Sequence, residues 1–488
     1  MLGRRSFKTD ESFLEKLVLG ATGTRAVALD LQRQGHEPIE LERGSMDFKI
    51  WKDIKIKRVR VPDILCLRCA TRFEARAKTH LEISMSHSKS DPERGWDRDL
   101  ADSDIVAFSL CKKSGPRPTE CVASDLIQYV SATALRKAYR RGLVLEEKPK
   151  GAGEGFEIRV TWPSAVASAA GIVGEVSTSR LQYRRMSDGR TISLGLTRGA
   201  ITLKPLVKTG DEIRKGQLVA SVVPVSADIA CSKSASVNTF MKMLGSSSIS
   251  DKYAAAKALS HFKGEKPIVL LSGRMRDDKE HIYVRLESAA SLARLGEQTG
   301  MDFIDSALRD EYYEHRLEAV IILGEIKTES SRTALGRVLS DPDQPPEVRA
   351  GGAWALGELG QAESVDALVR AFAEIAEPIR AEAARALRKI IASTGADVTE
   401  LLPAALNDQR AGIAWALSRS GHIDLDALSR AMKNDDTRRW VAYVLGTPKE
   451  DAYIGKLDEL RRADPEVYFA VTVLWRIMSS WVYGLEEH

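Results

Sequence analysis

Hydrophobic positions in the second half of the chain recur every 28 to 33 residues, in step with a series of arginines. Four residues after each arginine stands Ala or Val, and seven residues after it stands Leu. Positions i, i+4 and i+7 share one face of an α-helix, so each copy predicts a helix that buries one side. Because one copy cannot bury that side alone, we expect the copies to stack. The arginines are Arg285, Arg316, Arg349, Arg380, Arg410 and Arg438.

Glycines follow the leucine position in several copies, as at Gly324, Gly357 and Gly446. We expect these glycines to end the helices, because a left-handed C-cap favours glycine.

The segments WALGELG at 354–360 and AARALRKI at 383–390 resemble HEAT repeats, and the resemblance extends over roughly residues 235–480. It implies a right-handed α-solenoid whose concave face holds a partner, and by itself no chemistry. We therefore interpret residues 231–488 as an all-α, HEAT-like solenoid. Within it, the periodic arginines are expected to serve packing or a loop hydrogen bond and not a ligand.

Residues 1–150 predict an α/β domain. Residues 11–33 have helical periodicity, and strand-like segments follow at 39–45 and 49–66. Two further strand-like pieces lie within 71–86. This order places Pro62-Asp63 at the end of one strand and Glu74 inside the next.

That arrangement resembles the PD-(D/E)XK, or restriction-endonuclease-like, superfamily, in which a Pro-Asp is followed by Glu-x-Lys. The resemblance implies that Asp63 and Glu74 bind Mg²⁺ for hydrolysis of phosphodiester bonds in DNA. Arg76 stands where the family has its Lys, and Lys78 comes two residues later. Alternation in a strand puts Glu74, Arg76 and Lys78 on one face, so either cation could assist the water and the phosphate.

Further acidic residues extend this hypothesis. Glu15, on the predicted helix, matches the additional helical acid that many members of the superfamily carry. Glu40 and Glu42 share a strand face and are weaker candidates. The alternative is that acids interspersed with bases form an ordinary solvated face, in which case the domain only binds.

Four of the five cysteines fall between 66 and 121. Cys66 and Cys69 form a CxxC turn, which can supply half of a Zn²⁺ site. Cys111 and Cys121 are the candidate second half, although their spacing is wide, and His87 is a substitute ligand. The rival interpretation is a set of ordinary buried thiols.

Charge is spread unevenly along the chain. Residues 1–150 contain 29 Lys and Arg against 22 Asp and Glu, whereas the rest contains 43 against 46. A polyanion is therefore expected to meet the N-terminal part. The predicted DNA-contacting residues, in a basic strand and at the end of an amphipathic helix, are Lys55, Lys57, Arg58, Arg136, Lys137, Arg140 and Arg141.

Residues 151–230 predict a small β-rich, barrel-like domain. The segment GDEIRKGQLVAS at 210–221 resembles the hairpin of lipoyl- or biotinyl-type barrels. Lys242 lies too far beyond Gln217 to be the modified lysine of that family, and residues 240–244 are interpreted as a helix.

These patterns predict a multidomain, cytoplasmic protein. No apolar run approaches the ~18 residues needed to cross a bilayer, and the N-terminus does not have the apolar core of a signal peptide. The favoured function is Mg²⁺-dependent DNA cleavage, in a role such as defence against foreign DNA, with a partner held by the solenoid. The alternative is a non-catalytic HEAT-repeat scaffold whose head binds nucleic acid or protein. Whether the chain forms a homo-oligomer is left open.

Overall fold

The computed structural model describes residues 10–46, 59–98, 100–115, 120–148, 157–422 and 424–446, together with five residues between 462 and 469. These residues divide into two compact units, and the boundary along the chain lies between Leu270 and Leu271. We call them the N-terminal unit and the C-terminal unit. Within the described residues, no helix is both long enough and apolar enough to cross a membrane.

A five-stranded mixed sheet lies at the centre of the N-terminal unit. Its elements and their neighbours are α1 (Asp10–Arg33), β1 (Pro38–Glu40), β2 (Ile64–Cys66), β3 (Arg72–Lys78), β4 (Ile83–Ser88), β5 (Ile105–Lys113), β6 (Cys121–Ser131) and α2 (Ala132–Arg140). The strand order is β1-β2-β3-β5-β6, with β3 parallel to β5 and the other neighbours antiparallel. Strand β4 leaves this sheet. The helix expected over 11–33 is α1.

Helix α1 covers one face of the sheet. Val27 and Leu31 of the helix pack on Phe73 and Ala75 of β3. The helix approaches closely at Gly23, where a Cβ atom would lie 2.6 Å from the Cβ of Ala77. Only glycine permits this contact, which explains a residue that the sequence pattern left without a role.

The opposite face of the sheet carries a second apolar core. Val106, Phe108 and Leu110 of β5 pack there against α2 and Trp162. Trp162 ends β8 (Glu157–Trp162), which pairs with β4 and with β7 (Leu145–Glu147). Strand β8 therefore belongs with the strands of residues 1–150, although the sequence predicted it to lie in the middle domain, residues 151–230.

The barrel-like part follows directly. Its strands are β9 (Ser164–Val166), β10 (Gly171–Val176), β11 (Arg180–Arg185), β12 (Thr191–Gly195), β13 (Thr197–Arg198), β14 (Ile201–Thr202), β15 (Lys204–Pro205), β16 (Glu212–Ile213) and β17 (Leu218–Ser221). They form sheets in the orders β12-β11-β10-β16 and β15-β17-β9, with a β13-β14 hairpin. Gly210 and Gly216 lie in tight turns, with φ of +92° and +89°. However, β16 and β17 pair in different sheets, so this segment is not a hairpin.

Two helices complete the N-terminal unit: α3 (Val237–Leu244) and α4 (Ile249–Leu259). Arg72 of β3 forms a buried two-point ion pair with Asp104, at 2.8 and 2.9 Å. Its remaining nitrogen donates to Asp251 at the start of α4. These two helices therefore belong to the N-terminal unit. The unit ends at Leu270, whereas the sequence predicted that the helical solenoid begins at residue 231.

The C-terminal unit consists of stacked helices. They are α5 (Glu265–Arg276, which spans the boundary), α6 (Ile282–Arg294), α7 (Gln298–Ala307), α8 (Tyr313–Ile326), α9 (Glu329–Ser340), α10 (Pro346–Leu359), α11 (Val365–Ala371), α12 (Glu377–Thr394), α13 (Asn407–Ser420), α14 (Leu425–Ala431) and α15 (Asp435–Gly446). Helices α6, α8, α10, α12, α13 and α15 carry the periodic arginines and pack on one another in turn. The predicted small residue and leucine are fully or nearly buried in the first five of these.

Each periodic arginine donates to a backbone carbonyl at the end of the preceding helix or turn. Arg285 Nε donates to Met275 O at 2.9 Å, and Arg349 Nε donates to Leu339 O at 2.9 Å. Arg316, Arg410 and Arg438 donate in the same way through Nε, and Arg380 donates to Glu374 O through Nη1. The arginines therefore satisfy carbonyls that a helix C-terminus leaves unpaired, as expected for a loop hydrogen bond.

The glycines after the leucine position were predicted to be caps, and for two of them that prediction was wrong. Gly324 and Gly357 lie inside α8 and α10 and contact the next repeat. A Cβ atom on Gly357 would lie 2.7 Å from the Cα of Ala386. The helices α10, α12 and α13 end instead at left-handed Gly360, Gly395 and Gly421.

Candidate functional site

Asp63 and Glu74 lie on the same face of the central sheet. The antiparallel β2–β3 pair aligns Ile64 with Phe73, so one further step along the ladder sets Asp63 opposite Glu74. Directly opposed residues of antiparallel strands project to the same side. The backbone N–H of Ala75 donates to Asp63 Oδ2 at 2.7 Å, which holds the carboxylate against β3.

Arg76 and Lys78 continue this face along β3. The parallel register aligns Glu74 with Val106, Arg76 with Phe108 and Lys78 with Leu110. These β5 residues face the second apolar core and not α1. The alternating charges of β3 therefore form a polar row on the face away from α1, as the strand pattern predicts. We call Asp63, Glu74, Arg76 and Lys78 the β3 charge row.

The two carboxyls of this row, Asp63 and Glu74, lie in surroundings that disfavour their ionised forms. Burial raises the pKa of Asp63 well above its ordinary value, and the negative charges of Glu74 and Glu42 raise it further. Burial also raises the pKa of Glu74, while Arg76 opposes that shift. Neighbouring acidic groups with raised pKa values are frequent in binding and catalytic sites. A bound cation stabilises their ionised forms there.

Arg76 forms an ion pair with Glu74, with 2.7 Å between the guanidinium Nη2 and Oε1. The side chain of Glu74 is 13% exposed and that of Arg76 is 44% exposed. The Glu74 carboxylate is thus largely buried, while the Arg76 guanidinium reaches solvent. The residue two positions after Glu74 is therefore a permanent cation that already contacts one acid.

Lys78 lies at the other end of the row. Its Nζ donates to the carbonyl oxygen of Ser84 at 2.6 Å and to Ser84 Oγ at 2.9 Å. Burial lowers the pKa of Lys78 to about 8, and the positive charges of Arg76 and Arg159 act in the same direction, against Glu82. A substantial fraction of this amine is therefore uncharged in mildly alkaline solution.

The other predicted acids occupy different places. Glu15 forms an ion pair with Lys113 of β5 at 2.5 Å, and its charge is not among those acting on Asp63 or Glu74. Glu40 accepts from the backbone N–H of Met46 at 2.8 Å, which closes a turn. Glu42, which the sequence ranked as a weaker candidate, is the acid that acts on both carboxyls.

The cysteines group differently from the sequence pattern. Cys66 and Cys69 lie with His36 and Cys231, and the ligand atoms of these four residues are all within 4.8 Å of one another. Cys111 and Cys121 lie on the neighbouring strands β5 and β6 and are not part of the cluster. His87, the suggested substitute, accepts from the N–H of Trp96. No spacing rule could reveal His36 and Cys231, since they are far from the CxxC turn in sequence.

The predicted DNA-contacting residues are divided. Arg136 forms ion pairs with Asp97 and Asp102, at 2.7 and 2.6 Å, and so already has acidic partners. The exposed residues at the end of α2 are Lys137, Arg140 and Arg141. The predicted basic strand, with Lys55, Lys57 and Arg58, lies outside the described residues.

Comparison with known proteins characterises the C-terminal unit. Residues 301–388 match the family model described as HEAT repeats. The helix pairs within residues 301–388 are therefore similar to HEAT repeats. Deoxyhypusine hydroxylase-B of Oryza sativa subsp. japonica is 30% identical over 113 residues, which are 23% of this chain and 37% of that protein. The chain thus matches just over a third of the length of this curated relative.

Solved structures with helical repeats show only distant likeness. The complex of CpcE and CpcF of phycocyanin lyase from Nostoc sp. PCC7120 is 20% identical, with a TM-score of 0.26, over 43% of this chain and 94% of that chain. Kap121p bound to Pho4p is 13% identical, with a TM-score of 0.27, over 46% of this chain and 30% of that chain. Scores this low carry no functional argument beyond the HEAT repeats themselves.

Proposed function

We propose that the N-terminal unit is a Mg²⁺-dependent nuclease that hydrolyses phosphodiester bonds in DNA, and that the HEAT repeats hold a DNA or protein partner. One observation carries the proposal: Asp63 and Glu74 share a sheet face, with Lys78 further along the same strand. The activity and both partners are expectations from this arrangement and from the PD-(D/E)XK resemblance.

The donor set fits a hard divalent cation. Mg²⁺ prefers oxygen ligands, and it is commonly held by one or two carboxylates with water in its other positions. Burial and mutual repulsion raise the pKa of both Asp63 and Glu74, so a bound cation would stabilise their ionised forms. When bound, Mg²⁺ supplies charge neutralisation at the phosphate and lowers the pKa of a water molecule.

The remaining residues of the β3 charge row have separable tasks. The bond from Ala75 N–H fixes the Asp63 carboxylate in advance, which reduces the cost of ordering a ligand. Arg76 stays protonated and attracts the phosphate. Lys78, whose pKa is lowered to about 8, accepts a proton from the attacking water in its uncharged form.

The basic excess of the first 150 residues supports a polyanionic substrate. Those residues carry 29 Lys and Arg against 22 Asp and Glu. Lys137, Arg140 and Arg141 are exposed at the end of α2, where they are able to contact phosphates. Such contacts predict binding that weakens steeply with added salt.

Cleavage of supercoiled plasmid by the full-length protein in Mg²⁺ or Mn²⁺ tests the proposal. We expect Asp63→Asn and Glu74→Gln to reduce the rate roughly 100-fold or more, since each removes a metal ligand. Glu175→Gln, an exposed change on β10, is the matched control and should cut like the wild type. Equal cutting by all four proteins would show that a contaminant is responsible.

The second candidate function is a non-catalytic HEAT-repeat scaffold, and the Glu74–Arg76 ion pair favours it. If the Arg76 guanidinium permanently takes the place of Mg²⁺ at Glu74, the N-terminal unit binds nucleic acid or protein without hydrolysis. Salt-sensitive DNA binding by a wild-type protein that neither cuts DNA nor binds Mn²⁺ would support this function over the nuclease.

A further inference from the structure

We infer that His36, Cys66, Cys69 and Cys231 form a structural zinc site that joins three segments of the N-terminal unit. The inference is independent of the proposed nuclease activity, because none of these residues belongs to the β3 charge row. It rests on the geometry of the four ligand atoms, the orientation of the imidazole and the backbone around the CxxC turn.

The ligand atoms are spaced as a tetrahedral zinc ion requires. With Zn–S near 2.3 Å and Zn–N near 2.0 Å, neighbouring ligand atoms lie about 3.5–3.8 Å apart. Cys69 Sγ lies 3.6 Å from His36 Nδ1, and Cys66 Sγ lies 4.0 Å from Cys231 Sγ. All four atoms are within 4.8 Å of one another. One nitrogen and three sulfur donors are a common set for zinc in a closed site.

The imidazole of His36 is oriented for coordination through Nδ1. Its Nε2 lies 2.9 Å from the carbonyl oxygen of Ile229. A carbonyl only accepts, so Nε2 carries the hydrogen and Nδ1 presents its lone pair to the sulfurs. The ring also packs edge-on against Phe73, at 5.5 Å between centroids. Such an outer hydrogen bond fixes the tautomer and direction of most metal-bound histidines.

The CxxC turn is shaped around its sulfurs. Ala70 N–H donates to Cys66 O at 2.9 Å, and Glu37 N–H donates to Cys66 Sγ at 3.4 Å. Ala70 has φ of +58°, a left-handed conformation that has an energetic cost in a residue with a Cβ atom. A bound ion at the adjacent Cys69 would offset this cost by holding the turn closed.

The site would join parts of the chain that are distant in sequence. His36 follows α1, the CxxC turn joins β2 to β3, and Cys231 lies beyond the last barrel strand. The returning segment is already docked there, because Ala235 N–H donates to Arg68 O at 2.9 Å and Ile229 N–H donates to Gln34 Oε1 at 2.5 Å. Zinc would therefore fix the turn that separates Asp63 from Glu74.

Four protein ligands complete the coordination of zinc, so the site is structural and not catalytic. Three thiolates and a neutral imidazole around Zn²⁺ give a net charge of −1. Loading the metal-free protein releases the thiol protons to solvent, so the apparent affinity rises with pH.

Zinc content of the full-length protein, measured by elemental analysis, tests the inference. We expect one zinc ion per chain in the wild type and marked loss in Cys231→Ser and His36→Ala. Cys111→Ser and Cys121→Ser are matched controls, since they change cysteines outside the cluster, and they should retain the metal. Cys231→His keeps a ligand and should restore zinc. Zinc loss in Cys111→Ser or Cys121→Ser equal to that in Cys231→Ser would overturn the assignment.

A spectroscopic measurement covers the case in which a variant does not fold. Metal-free wild-type protein titrated with Co²⁺ should develop the visible bands of a tetrahedral ion and a strong thiolate-to-cobalt charge-transfer band. A spectrum typical of octahedral Co²⁺ with oxygen ligands, or no spectral change, would refute the site without any variant.

Discussion

The guanidinium of Arg76 lies 2.7 Å from the carboxylate of Glu74, inside the group of residues that we propose to bind a divalent cation. An arginine at this position competes with the metal for the same carboxylate. The contact thus determines whether the β3 charge row acts as a metal site or as a self-neutralised surface, and its removal separates these two states.

We expect Arg76→Met to bind Mn²⁺ about three- to tenfold more tightly than the wild type, because a competing positive charge is removed from Glu74. Isothermal titration calorimetry measures this affinity. Arg159→Met, which removes a cation next to Lys78 but not next to Glu74, is the matched control. Weaker Mn²⁺ binding by Arg76→Met would contradict the competition.

Asp63→Asn should raise the unfolding midpoint of the protein measured without added divalent cations. Burial and neighbouring acids raise the pKa of Asp63 in the folded state. The unfolded chain therefore ionises first as pH increases above about 4, and stability falls with rising pH through the folded pKa. Asn preserves the acceptor for Ala75 N–H and cannot ionise, so the variant does not lose this stability at neutral pH.

Thermal unfolding over the acidic to neutral range measures that difference, with Glu175→Gln as the exposed control. The two curves for wild type and Asp63→Asn should converge at acidic pH. A gap that stays constant with pH would mean that ionisation of Asp63 does not cause it.

Cleavage by the wild type should increase with pH through about 8, because the pKa of Lys78 is lowered to about 8 and the uncharged amine is the form that takes a proton from water. Lys78→Met should lower the rate by about 10²–10⁴-fold, and Lys78→Arg should not restore it, since Arg stays protonated. Single-turnover rates across this range provide the measurement, and Lys208→Met, at an exposed lysine, is the control. A rate that falls above pH 8 would instead assign Lys78 to charge stabilisation of the phosphate.

Gly357→Ala and Gly336→Ala should change stability in opposite directions. A Cβ atom at Gly357 meets Ala386, so Gly357→Ala should cost about 1–3 kcal/mol through overpacking. Gly336 lies in α9 with open space around it, and alanine there should add about 1 kcal/mol of helix stability. Differential scanning calorimetry of the two variants tests this; equal shifts would show that the α10–α12 contact is not tight.

The sequence predicts the features that depend on local periodicity. Arg349, Ala353 and Leu356 reveal a repeat because helical geometry forces the same face to recur. Glu74, Arg76 and Lys78 are correctly grouped by strand alternation, and their pairing with Asp63 needs only a tight antiparallel connection. These relationships span few residues, so a single sequence contains enough information to predict them.

Features that depend on long-range packing are not predictable in this way. Cys231 meets Cys66 only because the chain returns from the barrel to the end of α1, and no spacing encodes that return. In the sequence Gly357 looks like a residue that ends a helix. Its role in packing is visible only from its contact with Ala386 of the neighbouring helix. Glu42 could not be ranked above Glu15 because its effect on Asp63 depends on how the segment after β1 folds.

The bonds from the periodic arginines have a consequence for how the repeat array changes over evolution. Arg285 and Arg349, like their equivalents, close a turn between two adjacent helices. Each helix pair therefore contains both the donor and the acceptor of this hydrogen bond. A pair can accordingly be duplicated or deleted without leaving an unmatched arginine or carbonyl at the junction. The number of helix pairs in the array can therefore change while each pair remains internally complete.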